Sequence, residues 1–287
     1  MPVITQEDDP WGLARISHRE KLTFATLKKY AYDDRTGEPV MVYVLDTGIE
    51  TDHEEFDNRA SWGFSCDQGE WDDNGRGTHL AATVAGRTYG AAKNAYVSAV
   101  KVAWSNGAAS PDDVIKGLKW AMKDARGHEA RSVVLFGMAL PSHPELDELA
   151  AAAVNQGLFL VAPAGDDSKD AAGYSPAGAE GVFTVAASEL DDDRADFSNV
   201  GPSIDVFAPG HSIMSAYRGG PKAATVISGT AQAAAHVAGL AAYLLSTSAD
   251  VNAGTVGKTI TTLASKDRLA KVPQGTRNLL ANNNAGT

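Results

Sequence analysis

Short, continuous apolar runs recur along the chain, and stretches with helical spacing separate them. Met41-Val42-Tyr43-Val44-Leu45 is the first run, followed by Tyr96 to Val102, Ser132 to Met138, Leu158 to Val161, Val182 to Ala187 and Ile204 to Phe207. Runs this short and this apolar predict strands buried on both faces. Gly77-Thr78-His79 opens a helix through Leu80 to Ala85. Ser110 is placed to cap a helix that starts Pro111-Asp112-Asp113, and Val114, Leu118, Ala121 and Met122 form its apolar stripe. Glu145 to Gln156 reads as a helix stopped by Gly157. Strands alternating with helices predict crossover units, hence an α/β fold with a mostly parallel central sheet covered by helices on both faces. Residues 1–40 are polar and irregular, with a short helix expected over Leu22 to Ala31. There is no repeat, low-complexity tract or linker, so residues 1–287 are expected to form one domain.

One stretch breaks the pattern. Val226-Ile227-Ser228-Gly229 is a short strand and a glycine turn, and Thr230 to Leu245 follows as an alanine-rich helix with small residues on nearly every face. A helix of that kind is central and packed all round rather than amphipathic. Thr230 is expected to cap it, and His236 within it is expected to pack in the core.

Composition narrows the function classes. The net charge of −11 and a pI near 5.0 argue against a nucleic-acid or anionic-membrane surface. No apolar run approaches the roughly 18–20 residues that span a bilayer. A lone cysteine, Cys66, forbids an intrachain disulfide. With no signal-like segment at the start, this favours a cytoplasmic placement. His53, His128, His143 and His211 show no metal-ligand spacing, and Asp191-Asp192-Asp193 is expected to be a solvated turn.

Three segments carry chemistry-bearing residues in a familiar order. They are Tyr43-Val44-Leu45-Asp46-Thr47-Gly48, Asp73-Asn74-Gly75-Arg76-Gly77-Thr78-His79, and Gly229-Thr230-Ala231-Gln232-Ala233-Ala234-Ala235-His236-Val237-Ala238-Gly239. Together they resemble the Asp, His and nucleophile motifs of the subtilisin-like serine proteases (subtilases), in the proteinase K-like branch. Further matching segments run from Pro10-Trp11-Gly12 to Asn278-Leu279-Leu280-Ala281. The resemblance implies a subtilisin-like three-layer sandwich, with Asp46 orienting His79 as base. It also implies that Ala231 stands at the nucleophile position and Asp166 at the position of an oxyanion-stabilising Asn. Gln232, Leu135, Phe136, Gly137 and Met138 are expected to line the cleft. A structural calcium ion is implied at Asp205 with the carbonyls of Glu180 and Val182; no other cofactor is.

Alanine cannot attack a carbonyl, and a carboxylate at the oxyanion position repels developing negative charge. In subtilisin itself, loss of the nucleophile costs about a million-fold in turnover. The first expectation is therefore a repurposed cleft, in which His79, Asp46 and Asp166 run acid–base chemistry (isomerisation, elimination or cyclisation) on a small, largely apolar molecule. The alternative is a non-catalytic pseudoprotease that holds a peptide or partner protein. A nucleophile knockout of an active endopeptidase would explain Ala231 but not Asp166, Gln232, Ala234 and Ala235.

Overall fold

A computed structural model describes residues 3–34, 39–67, 69–128 and 131–285. In chain order the elements begin with strand β1 (Val3–Glu7), helix α1 (Trp11–Ser17), β2 (Lys29–Asp33), β3 (Met41–Asp46), β4 (Ala60–Ser65), α2 (Arg76–Ala85) and β5 (Tyr96–Lys101). They continue with α3 (Pro111–Asp124), β6 (Ser132–Phe136), β7 (Leu140–Pro141), α4 (Pro144–Asn155), β8 (Phe159–Pro163), β9 (Tyr174–Ser175) and β10 (Phe183–Ser188). The last are β11 (Val206–Pro209), β12 (Ile213–Ala216), β13 (Ala224–Ile227), α5 (Thr230–Thr247), α6 (Ala253–Leu263), β14 (Ser265–Lys266) and β15 (Leu279–Leu280).

Nine strands form the central sheet in the order β14-β15-β11-β10-β8-β6-β3-β5-β4. The pairings are parallel except β14 with β15. Alternation along each strand divides the core in two. Val42, Val44, Val133, Leu135 and Val161 face α2 and α5, whereas Tyr43, Leu45, Val134, Phe136 and Leu160 face α3 and α4. The result is the three-layer α/β sandwich expected. Helix α5 is buried at every residue from Thr230 to Leu245 and forms the spine of one layer. Among the described residues no helix is long and apolar enough to cross a membrane.

After β3 the chain moves to one side, through β5, and α3 then carries it across to β6 on the other side of β3. The carboxyl end of β3 is therefore a switch point, where a doubly wound sheet opens a crevice. Asp46 is the last residue of β3.

Two expectations need correction. The helix over Leu22 to Ala31 is absent, because β2 runs through Lys29–Asp33 and pairs antiparallel with β1. Tyr30 there is fully buried, stacks on Tyr32 and donates its hydroxyl to the Ala91 carbonyl at 2.8 Å, so a tertiary contact overrides the local helical spacing. Nor is Asp191-Asp192-Asp193 simply a solvated turn. Asp192 is buried, and the fully buried Arg15 donates to it twice, from Nε at 2.6 Å and Nη2 at 3.1 Å. Asp192 reaches that partner from a left-handed backbone, φ 66°.

Candidate functional site

The site is assembled at the end of β3 by a buried acceptor. Asp72 takes hydrogen bonds on Oδ1 from the Thr47 hydroxyl and from the Asn74 and Gly75 amides. Its Oδ2 accepts from the Thr78 amide and hydroxyl. Thr47 in turn accepts from the Gly77 amide at 3.0 Å. The unpaired amides of the first turn of α2 are thus satisfied from the β3 side, which fixes α2 against Asp46. The approach is close. A Cβ on Gly77 would lie 2.0 Å from the Gly48 carbonyl oxygen, and one on Gly137 would lie 1.8 Å from Asp46 Oδ2. Only glycine fits at either place.

Arg76, the first residue of α2, engages Asp46. Its Nε donates to both carboxylate oxygens, at 3.1 Å and 2.9 Å, and the Thr47 amide adds a third bond at 2.7 Å. Asp46 is fully buried. Burial pushes its carboxyl up from the ordinary range, while the Arg76 charge and the Thr47 amide pull it down. Arg76 lines the cleft, its side chain 24% exposed, with Nη1 on the Gly107 side.

His79 sits elsewhere. Its ring is fully buried under the β12–β13 hairpin, where Nε2 donates to the Ile213 carbonyl at 3.0 Å and Nδ1 has no hydrogen-bond partner among the described residues. The orienter–base pair expected of Asp46 and His79 is therefore not formed. His79 follows Arg76 by three residues, so it lies one turn deeper along α2, away from the open end of the sheet. A base acting with Asp46 must stand where Arg76 stands, and a guanidinium does not give up its proton in a protein.

Burial lowers the His79 pKa to about 4, against the opposing carbonyls of Ile213 and Thr225. The unfolded chain takes up the imidazole proton near pH 6.5, and the folded chain only near pH 4. Between those values the unfolded state binds more protons, so stability falls as pH drops through this window. His79→Gln, which keeps a donor for Ile213, should lose less stability than the parent between pH 6.5 and 4, read from urea midpoints.

Across the cleft, α5 begins at Gly229, which has no side chain to cap it. Asp166 does that work from 64 residues away: its Oδ1 accepts from the Thr230 amide and the Thr230 hydroxyl, each at 2.8 Å. The Thr230 hydroxyl also accepts from the Gly165 amide. Thr230 is thus the first helical residue and a relay, not the cap expected of it. The carboxylate lies on the positive end of the α5 dipole, a favourable place for an anion. Ser228, at the rim, accepts from the Ser212 amide at 2.8 Å.

Arg76, Gly137, Met138, Asp166, Ala231 and Gln232 come together around a cleft of about 480 Å³, bounded also by Gly107 to Ala109 and by Tyr174. Leu135 and Phe136 do not line it. Both are fully buried and point to opposite faces of the sheet, as neighbours on one strand must. Of the expected apolar wall only Met138 remains, joined by Leu140 and Ile227, while Arg76 and Asp166 make the rest of the site more polar than the sequence suggests. His236 lies in the core, with its Nδ1 bonded to the Gln232 carbonyl at 3.0 Å.

Of the residues named for calcium, the Asp205 carboxylate already has protein partners on both oxygens. Asp205 Oδ2 accepts from the Thr184 amide at 2.9 Å and Oδ1 from the Arg277 guanidinium at 3.1 Å. The Arg277 guanidinium, its side chain 57% exposed, stands on the one carboxylate of that set.

A parallel α/β sandwich with its crevice at the carboxyl end of β3, an Asp on that strand and a helix N-terminus opposite defines the architecture of the subtilisin-like proteins. The chain belongs to the subtilase family, whose model matches residues 37–283. It is 44% identical to a subtilisin-like serine protease of Davidiella tassiana over 98% of its own length and 58% of that protein's. It is 43% identical to a subtilase-type proteinase of Schizosaccharomyces pombe over 99% of its length and 64% of that relative's. The chain thus spans less than two thirds of either relative. The crystal structure of a cold-adapted subtilisin-like serine proteinase superposes with a TM-score of 0.89, at 33% identity, covering 96% of this chain and 98% of the other.

Proposed function

We propose that this chain is a subtilase-fold binding protein whose cleft holds a peptide without hydrolysing it. One observation carries the reading: the group paired with Asp46 at the cleft is Arg76, facing a site whose nucleophile position is Ala231. Hydrolysis by this fold's chemistry needs a group that takes a proton from a nucleophile, and neither member of that pair is present. Asp166 adds to this, since an acceptor sits where a donor to the oxyanion would be needed. The relatives are named as serine proteases, and residues 76, 166 and 231 set this chain apart from that chemistry. Small side chains at Gly107, Ala108, Gly137 and Ala139 flank the groove on both sides, which suits an extended chain.

The acid–base alternative has lost its base. His79 does not line the cleft. Asp166 gives its Oδ1 to the start of α5, and the partner expected for it, His79, is buried away from the cleft.

The test is turnover. Casein and a fluorogenic peptide series should remain uncut at enzyme concentrations where a working protease finishes in seconds. A fluorophosphonate should label nothing. Hydrolysis blocked by that reagent would overturn the proposal. Arg277 standing on Asp205 predicts in addition that chelation with EDTA leaves the melting temperature unchanged, measured by calorimetry with and without added calcium.

A further inference from the structure

The cleft holds two donors that the described residues leave unused. Gln232 is 1% exposed and lines the cleft, and its Nε2 has no hydrogen-bond partner. Arg76 commits Nε to Asp46, and its buried Nη2 is likewise without a partner. A buried donor lacking an acceptor has lost its water without gaining a bond in return. Two such donors on one cleft mark a place for an acceptor supplied from outside.

Charge decides which acceptor. The Arg76 cation is matched by Asp46, so the pair adds no net charge. Asp166 and Asp167 also line the cleft and are exposed. Thr230 occupies Asp166 Oδ1, and the Tyr174 hydroxyl donates to Asp167 Oδ2 at 2.6 Å. Asp166 Oδ2 and Asp167 Oδ1 are left without protein partners among the described residues. The chain as a whole carries −11. A carboxylate or phosphate entering this field is repelled, whereas a neutral carbonyl is not, and a cation beside that carbonyl is attracted.

We infer that the cleft takes a peptide segment bearing a lysine or arginine side chain. The carbonyl oxygen accepts from Arg76 Nη2 and Gln232 Nε2, and the side-chain cation rests against Asp166 and Asp167. This rests on the peptide-binding reading above.

The experiment is fluorescence anisotropy with labelled Gly-Ala-Xaa-Ala peptide amides in which Xaa is lysine, leucine or glutamate. The lysine peptide should bind about two- to fivefold more tightly than the leucine peptide at low ionic strength, the upper part of the range expected of exposed charge pairs. The glutamate peptide should bind weakest, and the lysine preference should shrink at high salt. Asp167→Asn lies off the α5 cap and should shrink the lysine-over-leucine preference, because Asp166 alone then faces the cation. Gln232→Leu should weaken all the peptides alike. Binding without a basic preference, or with a preference for glutamate, overturns this inference and leaves the broader reading standing. If none of the peptides binds, both fall together.

Discussion

Ala231→Ser by itself should leave peptide hydrolysis undetectable, whereas Arg76→His, Asp166→Asn and Ala231→Ser together should create it. The single change supplies an alcohol but no group to deprotonate it, because Arg76 stays charged and stays on Asp46. Histidine at position 76 would start from the same first turn of α2, held by Asp72 and Thr47, with Asp46 already placed to orient it. Asparagine at 166 keeps an oxygen for the Thr230 donors and adds an amide that can donate to an oxyanion. One oxyanion donor is worth about 10²–10³ in turnover, and the nucleophile with its base about 10⁶. A gain of at least about a thousandfold over the unaltered chain is therefore the expected result in a fluorogenic assay. If Ala231→Ser alone reached that gain, the assignment of Arg76 as the blocking group would be wrong.

Asp192→Ala should be the most damaging single change outside the cleft. Arg15 is fully buried, and Asp192 receives both of its donors to a carboxylate. Removing the carboxylate leaves a guanidinium in the core with, among the described residues, the His18 carbonyl as its remaining acceptor. Breaking one side of a buried ion pair costs about 3–5 kcal/mol. The neighbouring pair, Lys271 with Asp193, is 56% exposed on the lysine side. Asp193→Ala should accordingly cost less than about 1 kcal/mol. Urea unfolding of the two variants side by side separates the cases. Arg15→Met combined with Asp192→Leu should lose less than Asp192→Ala, because no charge is then stranded.

Much of the layered core was legible because a strand buried on both faces must be apolar throughout. Val42 to Leu45 and Val133 to Phe136 announce their strands without knowledge of what covers them. Helix α3 likewise declares its start through Ser110, whose hydroxyl oxygen accepts from the Asp113 amide at 3.1 Å. The elements missed were those whose partners lie far along the chain. Strand β2 is specified by β1 and by the Ala91 carbonyl. Strand β12 was missed as well, with Ile213 its one large buried apolar residue and Met214 exposed, although its partner β13 was read in part at Val226-Ile227.

The site was read one turn out of place. Arg76 and His79 stand three residues apart in one short motif, and histidine is the residue type expected of a base. The available signal was geometric rather than chemical: the group that meets Asp46 must sit at the first turn of α2, where the helix faces the end of β3. The same limit applied to Leu135 and Phe136. Alternation forbids consecutive strand residues from sharing a wall, a rule visible in the sequence once the strand is placed.

Apolar runs, capping residues and the order of three motifs were enough to settle the layers of this molecule and its family, since hydrophobic period and local capping act over a few residues. Folding alone determined that Arg76 meets Asp46, that Asp166 caps α5 and that Asp192 neutralises Arg15. Each of those pairs spans 30 to 177 residues of chain. Their strength comes from burial, which no local stretch of sequence records.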